Sequence, residues 1–318
     1  MLKVDVFMKG GDSKSLLYLE QLYMDNIENA LTHAGKFHAD DVFSAALLKI
    51  VFPKVRIVRS FRVPPTFSGL VFDIGFGPFD HHQENAEIRE NGTPFAAFGL
   101  LWREYGIKAL EIFGCKEEFI EKEANHFDEV FVQPLDLDDN TGCGNVMAGI
   151  INNFNPVWDS KKDANENFFE AVIFAGAIIE KKLESMMAIQ RARAMVEKAL
   201  AEAKDHIVIL PRYAPWKHAL TNTTAEFVVY PSQRGGFSAQ ALQEDGLSRN
   251  LKIPFPKEWA GKQKNELPDI SGIPTLFFCH NGSFLVSASS IQDAVQACRI
   301  AKESSIPADE NCGGNTCS

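Results

Sequence analysis

Four of the eight histidines stand in two short clusters, His33-x4-His38-x-Asp40 and Asp80-His81-His82, and an acidic run carrying Asp136, Asp138 and Asp139 follows them. Imidazole and carboxylate together are a ligand set for Mn²⁺, Zn²⁺ or Fe²⁺, and a site without thiolates but rich in oxygen donors leans toward Mn²⁺ or Mg²⁺. Asp73 adds another carboxylate at the end of the apolar run Val71-Phe72-Asp73, where a sheet presents its ligands. Each element alone has an ordinary explanation. A His pair at this spacing is usually coincidence, an Asp before two histidines can cap a turn, an Asp at a strand end is more often a turn former, and an acidic run is usually a solvated loop. Their order, each behind an apolar run, argues for a metal site.

The elements that must position these groups follow from hydrophobic periodicity. Residues 40–51 carry apolar positions at helical spacing behind two aspartates, which predicts a helix from about Asp40. Residues 55–60 and 70–75 read as short buried strands separated by a turn at Pro64 and Pro65, residues 95–105 as a helix, and residues 130–138 as the end of another strand. This alternation predicts a mostly parallel α/β sheet with functional residues at the C-terminal ends of its strands. Residues 163–204 contain no proline and read as one long helix or two consecutive ones. Beyond them, strands are expected at 206–210, 226–231, 237–242, 275–280 and 283–288, with a hairpin at His280-Asn281-Gly282 and a closing helix at 291–304. The fold class is therefore α/β, with a mostly parallel sheet domain over 1–195 and a smaller α+β domain over 196–318. Near the start, Val4–Met8 reads as an extra edge strand and residues 15–24 as a helix packed on the sheet.

The segments Thr32–Asp41, Val71–Gln83 and Leu135–Asn140 resemble the motif series of the DHH phosphoesterase superfamily. The form H-x-G-x-F-H-x-D over His33–Asp40 resembles the MYG1 family (UPF0160) in particular. Segments 214–220, 228–242, 256–262 and 270–284 are similar to the C-terminal half of that family, so the resemblance spans about Leu31 to Ala301. His38 stands where the wider superfamily has an aspartate. The glycine-rich GGGH-type motif of DHHA1 nuclease domains is absent, and Arg234-Gly235-Gly236 is the nearest counterpart.

The resemblance implies a DHH-type first domain holding two divalent metal ions, with Mn²⁺ expected and Mg²⁺ or Zn²⁺ as alternatives. One ion would sit on His33, His38 and Asp73, the other on Asp40, Asp73, His81 and Asp136, with Asp139 an alternative to Asp136. Asp73 would bridge, and a hydroxide activated by both ions would attack phosphorus. His82 is expected to contact the transition state or protonate the leaving oxygen, since adjacent residues seldom point at one ion, and Asp80 to orient His81 or His82. Lys217, Arg234, Gly235, Gly236 and His280 are the candidates for binding substrate phosphates across an interdomain cleft. The implied activity is phosphodiester hydrolysis, exonuclease-like on RNA or short oligonucleotides. The alternatives are a phosphatase or pyrophosphatase acting on a small nucleotide, a cyclic-dinucleotide phosphodiesterase, and a non-catalytic binding protein stabilised by metal.

Composition sets the outer bounds. Hydrophobic residues at 45% and charged residues at 23% are ordinary for a folded globular chain. A formal net charge of −10 argues against a broad basic face for duplex nucleic acid, though a short phosphate ligand is compatible with it. No membrane span or signal pattern is legible, so the cytoplasm is the expected location. The six cysteines lack metal-type spacing and read as free thiols, with a local disulfide or stray metal at Cys312 and Cys317 the less ordinary option. The 25 phenylalanines and four tryptophans could also hide a homo-oligomer interface.

Overall fold

In the computed structural model, described here for residues 27–305 apart from 247 and 249, the first ordered element is β1 (Asn29–His33). The expected edge strand at Val4–Met8, the helix at 15–24 and the cysteines Cys312 and Cys317 lie outside the described residues. Chain contacts divide the protein into two units, with the boundary between Met187 and Ala188.

In the first unit β1 is central to a three-stranded sheet of order β2-β1-β3, formed with β2 (Arg56–Ser60) and β3 (Leu70–Val71). Both pairings are parallel, with Leu31 opposite Val58 on one side and Val71 on the other. Ala30, Leu31 and Thr32 of β1 are completely buried, as expected of a strand covered on both faces. Helix α1 (Ala39–Val51) and helix α2 (Ala97–Ile112) carry the core on Phe43, Leu47, Phe98 and Leu101. Helix α3 (Glu117–Phe127) leads through a π-helical turn (Asp128–Val132) into α4 (Gln133–Thr141), and α5 (Val146–Asn152) follows. Residues 130–138 are thus helical, where a strand was expected. The β-branched run is short, and its buried members Phe131, Val132 and Leu135 fall at helical spacing on one face against Phe43 and Phe98.

Residues 164–201 form one helix, α6 (Ala164–Ala201), within which the unit boundary falls. The second unit holds a five-stranded mixed sheet of order β4-β5-β6-β8-β7, built from β4 (Ile207–Ile209), β5 (Phe227–Pro231), β6 (Phe237–Ala241), β7 (Leu276–Cys279) and β8 (Leu285–Ala288). Strands β7 and β8 pair antiparallel across the turn at His280–Ser283, where the hairpin was expected. Short helices α7 (Lys217–Leu220) and α8 (Leu267–Ser271) interrupt the strands, and α9 (Ile291–Ser305) closes the unit. Alternation along β6 and β8 sends Ala239, Ala241, Val286 and Ala288 toward the Ala294, Ala297 and Cys298 side of α9. Among the described residues Cys115, Cys143, Cys279 and Cys298 are free thiols, and no helix is long and apolar enough to cross a membrane.

Candidate metal centre

His33 is the last residue of β1, Asp73 lies two residues beyond β3, and Asp40 and Asp41 occupy the first turn of α1. Parallel strands all end on the same edge, so the sheet delivers its carboxylate and imidazole to the start of the helix that follows β1. The first turn of α1 has unsatisfied N–H groups and favours negative charge. His38 donates its backbone N–H to Asp41 Oδ1 at 2.9 Å, which fixes the entry to the helix. Asp73 holds a left-handed backbone (φ +56), a conformation uncommon outside glycine that Asp tolerates, and its N–H donates to the Phe79 carbonyl at 2.9 Å.

The contacts knit these groups together. His33 Nε2 lies 3.2 Å from Asp41 Oδ2 and 3.1 Å from Asp73 Oδ2. His81 Nε2 meets Asp139 Oδ2 at 3.0 Å, while its Nδ1 is 3.5 Å from Asp73 Oδ1 and 3.9 Å from Asp40 Oδ2. His38 Nδ1 is 3.9 Å from Asp139 Oδ1. Three groups can each place ligand atoms within 4.8 Å of one another: His33 with Asp41 and Asp73; His38 with Asp40 and Asp139; and Asp73 with Asp80, His81 and His82.

Burial makes this arrangement costly unless a cation offsets it. Asp40, Asp41 and Asp73 are at most 3% exposed, and both Asp40 oxygens, Asp41 Oδ2, Asp73 Oδ1 and His81 Nδ1 are buried without a hydrogen-bond partner. Burial, reinforced by the neighbouring carboxylates, pushes Asp40 well above the usual carboxylate range. Burial also lifts Asp41 to about 7, with His33 opposing. For His33 burial disfavours the charged ring, but the hydrogen bond to Asp73 and the charges of Asp41 and Asp73 outweigh it and raise the imidazole to about 9. At Asp139 burial likewise acts upward, and contact with His81 outweighs it, holding the carboxyl low. Orphaned carboxylate oxygens beside imidazole nitrogens are the donor set that a hard or borderline divalent cation takes, so these residues fit such an ion.

Asp136 and Asp139 separate clearly. Asp136 is fully buried one helical turn before Asp139, and it accepts from Arg89 Nη2 at 2.8 Å and from the Gly99 N–H at 3.0 Å. Burial draws its pKa up to about 7, while the guanidinium in direct contact favours the charged form. Its carboxylate is thus engaged away from the three groups, and Asp139 occupies the position facing His38 and His81. Arg89 also grips Asp128 through Nε at 3.0 Å and Nη2 at 2.7 Å, so this network anchors α4 against the first turn of α2. On the same helix, Asp138 Oδ1 accepts from the Gly144 and Asn145 N–H groups at 2.6 and 2.7 Å, fixing the loop before α5.

Asp80 accepts from the Phe76 N–H at 2.7 Å and from the His82 N–H at 3.1 Å, and its Oδ1 holds His82 Nδ1 at 2.7 Å. Burial opposes the Asp80 charge, but these bonds outweigh it and keep the carboxyl below its ordinary range. Asp80 therefore orients His82, the alternative to His81 left open by the sequence. The His82 side chain is 56% exposed. His38, His81, His82 and Asp139 border an open cavity of about 770 Å³, with the Gly142–Asn145 loop on another wall.

The five candidates of the second unit are not gathered into one cavity. Lys217 lines a cavity of about 260 Å³ with Gly282 and Phe284, whereas Arg234 lines a different one of about 610 Å³. Gly235 and Gly236 form the β5–β6 turn, where Ser232 donates its N–H to the Gly236 carbonyl at 2.9 Å. Gly236 has φ +66, and a Cβ there would collide with the Ala288 carbonyl, so the glycine is demanded by the turn itself. His280 Nδ1 accepts from the Gly282 N–H at 3.0 Å within the β7–β8 hairpin.

Two participants escaped the sequence reading. Asp41 could have been found from the Asp40-Asp41 pair, since the first turn of one helix can aim both carboxylates at one site. Arg89 offered no signal, because its partners Asp128 and Asp136 lie 39 and 47 residues away.

Residues 29–302 match the sequence profile of an uncharacterised protein family, UPF0160, which carries the MYG1 exonuclease label. Among curated proteins, the MYG1 protein of Schizosaccharomyces pombe is 25% identical over 87% of this chain and 98% of its own length. The MYG1 exonuclease of Homo sapiens is 26% identical over 87% of this chain and 86% of its own length, and the MYG1 protein of Chlamydia pneumoniae is 27% identical over 85% and 94%. No solved structure gave a significant match.

Proposed function

Because this chain belongs to the MYG1 (UPF0160) family, we propose that it is a metal-dependent hydrolase of phosphodiester bonds, with a DHH-type first unit that trims RNA or short oligonucleotides from an end. The observation that carries this reading is the convergence of Asp40, Asp41, Asp73 and Asp139 with His33, His38 and His81, several of their buried oxygens lacking a partner. His33, Asp41 and Asp73 would hold one divalent ion, and His38, Asp40, His81 and Asp139 a second, with Asp73 placed between the groups. Such ions supply Lewis acidity at the phosphoryl oxygens and lower the pKa of water toward neutrality.

The remaining work falls to this chain's side chains. With Nδ1 held by Asp80, His82 can offer Nε2 to a phosphoryl oxygen or carry the proton to the departing alcohol. Arg89 and Asp136 keep Asp139 in place by immobilising the helix that carries both aspartates. The Gly142–Asn145 loop forms one wall of the cavity that substrate would enter.

The test is Mn²⁺-dependent hydrolysis of a 5-mer RNA and of bis-p-nitrophenyl phosphate by wild type, Asp73→Ala and His81→Ala, with metal content measured on each. Cleavage by wild type, with loss of both activity and metal in the variants, is the expected result. A two-metal wild type that cleaves neither substrate would move the small-nucleotide phosphatase reading ahead, and a single inert ion would overturn catalysis.

A further inference from the structure

The sheet of the second unit has one face packed on α9, while part of the other, over β4 and β5, is covered by Val196, Trp216 and Leu220. The rest of that second face, over β6, β8 and β7, opens into the cavity of about 610 Å³. The strand register places a single transverse row along its floor: Tyr230 opposite Ser238, Ser238 opposite Ser287, and Ser287 opposite Phe278. Two small residues between two aromatic ones make a trough. Tyr213, 54% exposed, packs edge-on against Tyr230 with ring centroids 5.3 Å apart and forms its outer wall.

The polar groups around this trough are few and differ from one another. Ser238 and Ser287 are buried, and their hydroxyls lie 3.4 Å apart, the outer limit of a hydrogen bond, so both retain capacity for a ligand. Exposed Gln233 and Gln263 add amides that both donate and accept at the rim. Arg234 is exposed beside them. Flat apolar walls, amide and hydroxyl groups at an edge and one guanidinium at the mouth match a planar heterocycle that carries hydrogen-bonding edges and a neighbouring phosphate. The volume lies in the range of small-ligand sites.

We propose that this trough binds an unpaired nucleobase, stacked on Tyr213 and Phe278 and read at its edge by Gln233 and Gln263, with Arg234 on the adjoining phosphate. The proposal deepens the phosphodiesterase reading and rests on it for the expectation of a nucleic-acid ligand, but it concerns separate residues and is tested without catalysis. The base can come from a single-stranded oligonucleotide or from a free mononucleotide.

The experiment is fluorescence anisotropy of a labelled 5-mer RNA on the full chain in excess EDTA, where hydrolysis is blocked. The same measurement is repeated with a 5-mer abasic along its length. Stacking on one aromatic ring contributes enough that Tyr213→Leu is expected to weaken binding about tenfold, while Tyr213→Phe, which keeps the ring, binds as wild type does. Arg234→Gln weakens both the intact and the abasic oligomer. Displacement of the 5-mer by UMP or AMP at comparable concentration identifies the mononucleotide as the ligand, and failure to displace it identifies the oligomer. Equal binding of intact and abasic RNA by wild type, or wild-type affinity in a natively folded Tyr213→Leu, overturns the proposal. Neither result bears on the metal centre, whose failure would appear as absent hydrolysis of bis-p-nitrophenyl phosphate by the metal-loaded wild type.

Discussion

Replacing Asp136 by asparagine separates the two roles that the acidic run of α4 combines. The carboxylate presents one oxygen to Arg89 Nη2 and the other to the Gly99 N–H, at 2.8 and 3.0 Å. Asparagine has only one acceptor oxygen, so in either orientation its amide nitrogen faces a donor. Above pH 7, where the Asp136 carboxyl is ionised, the loss is one charge-assisted hydrogen bond, about 1.5–3 kcal/mol, plus a share of the penalty for a buried donor left unmet. Arg89 retains Asp128 as a partner, which keeps the cost below the full value of a broken buried ion pair. A net destabilisation of about 3 kcal/mol corresponds to a fall of roughly 6–12 °C in the melting temperature of a unit this size. The assay is thermal unfolding of Asp136→Asn and Asp139→Asn, each with metal content determined below its transition. Asp136→Asn should melt early yet hold metal while folded, whereas Asp139→Asn should lose metal without a comparable loss of metal-free stability. If Asp136→Asn keeps its melting temperature and loses its metal while Asp139→Asn keeps its own, the assignment of the two aspartates is refuted.

Gly99→Ala should injure the same network from the other side, because a methyl there collides with the Asp136 carboxylate and the Arg89 guanidinium; a loss of about 1–3 kcal/mol in urea unfolding is expected, and none would mean that the network is slack. Asp80→Asn should lower the proposed phosphodiesterase activity about 10–100-fold by releasing His82, with kcat affected more than metal content; unchanged kcat would remove His82 from the chemistry. In the metal-free protein His33 holds its proton up to about 9 and Asp41 up to about 7, and both must be deprotonated to act as ligands. Divalent-ion binding at neutral pH should therefore release protons, and affinity should rise with pH. Calorimetry in two buffers of different ionisation enthalpy measures the release, and proton uptake on binding would contradict the geometry.

Much of this protein was legible in its residue order. Helix α1, strands β2 and β3 in outline and the five strands of the second unit follow from short-range periodicity, which reports which side of an element is buried. The presence of a metal-type cluster was legible too, because His33-x4-His38-x-Asp40, Asp73 and Asp80-His81-His82 each follow an apolar run within a short stretch of sequence. The residues near 130–138 misled, since a β-branched run of this length suits a strand or a buried helix equally. Contacts with Phe43 and Phe98, more than 30 positions upstream, settle it as helix. Tertiary structure alone decided that Asp139 faces the cluster and Asp136 serves Arg89. Within one acidic helical segment the aspartates are chemically alike, and only the direction in which the packed helix points each carboxylate, toward imidazoles or toward a guanidinium, distinguishes them.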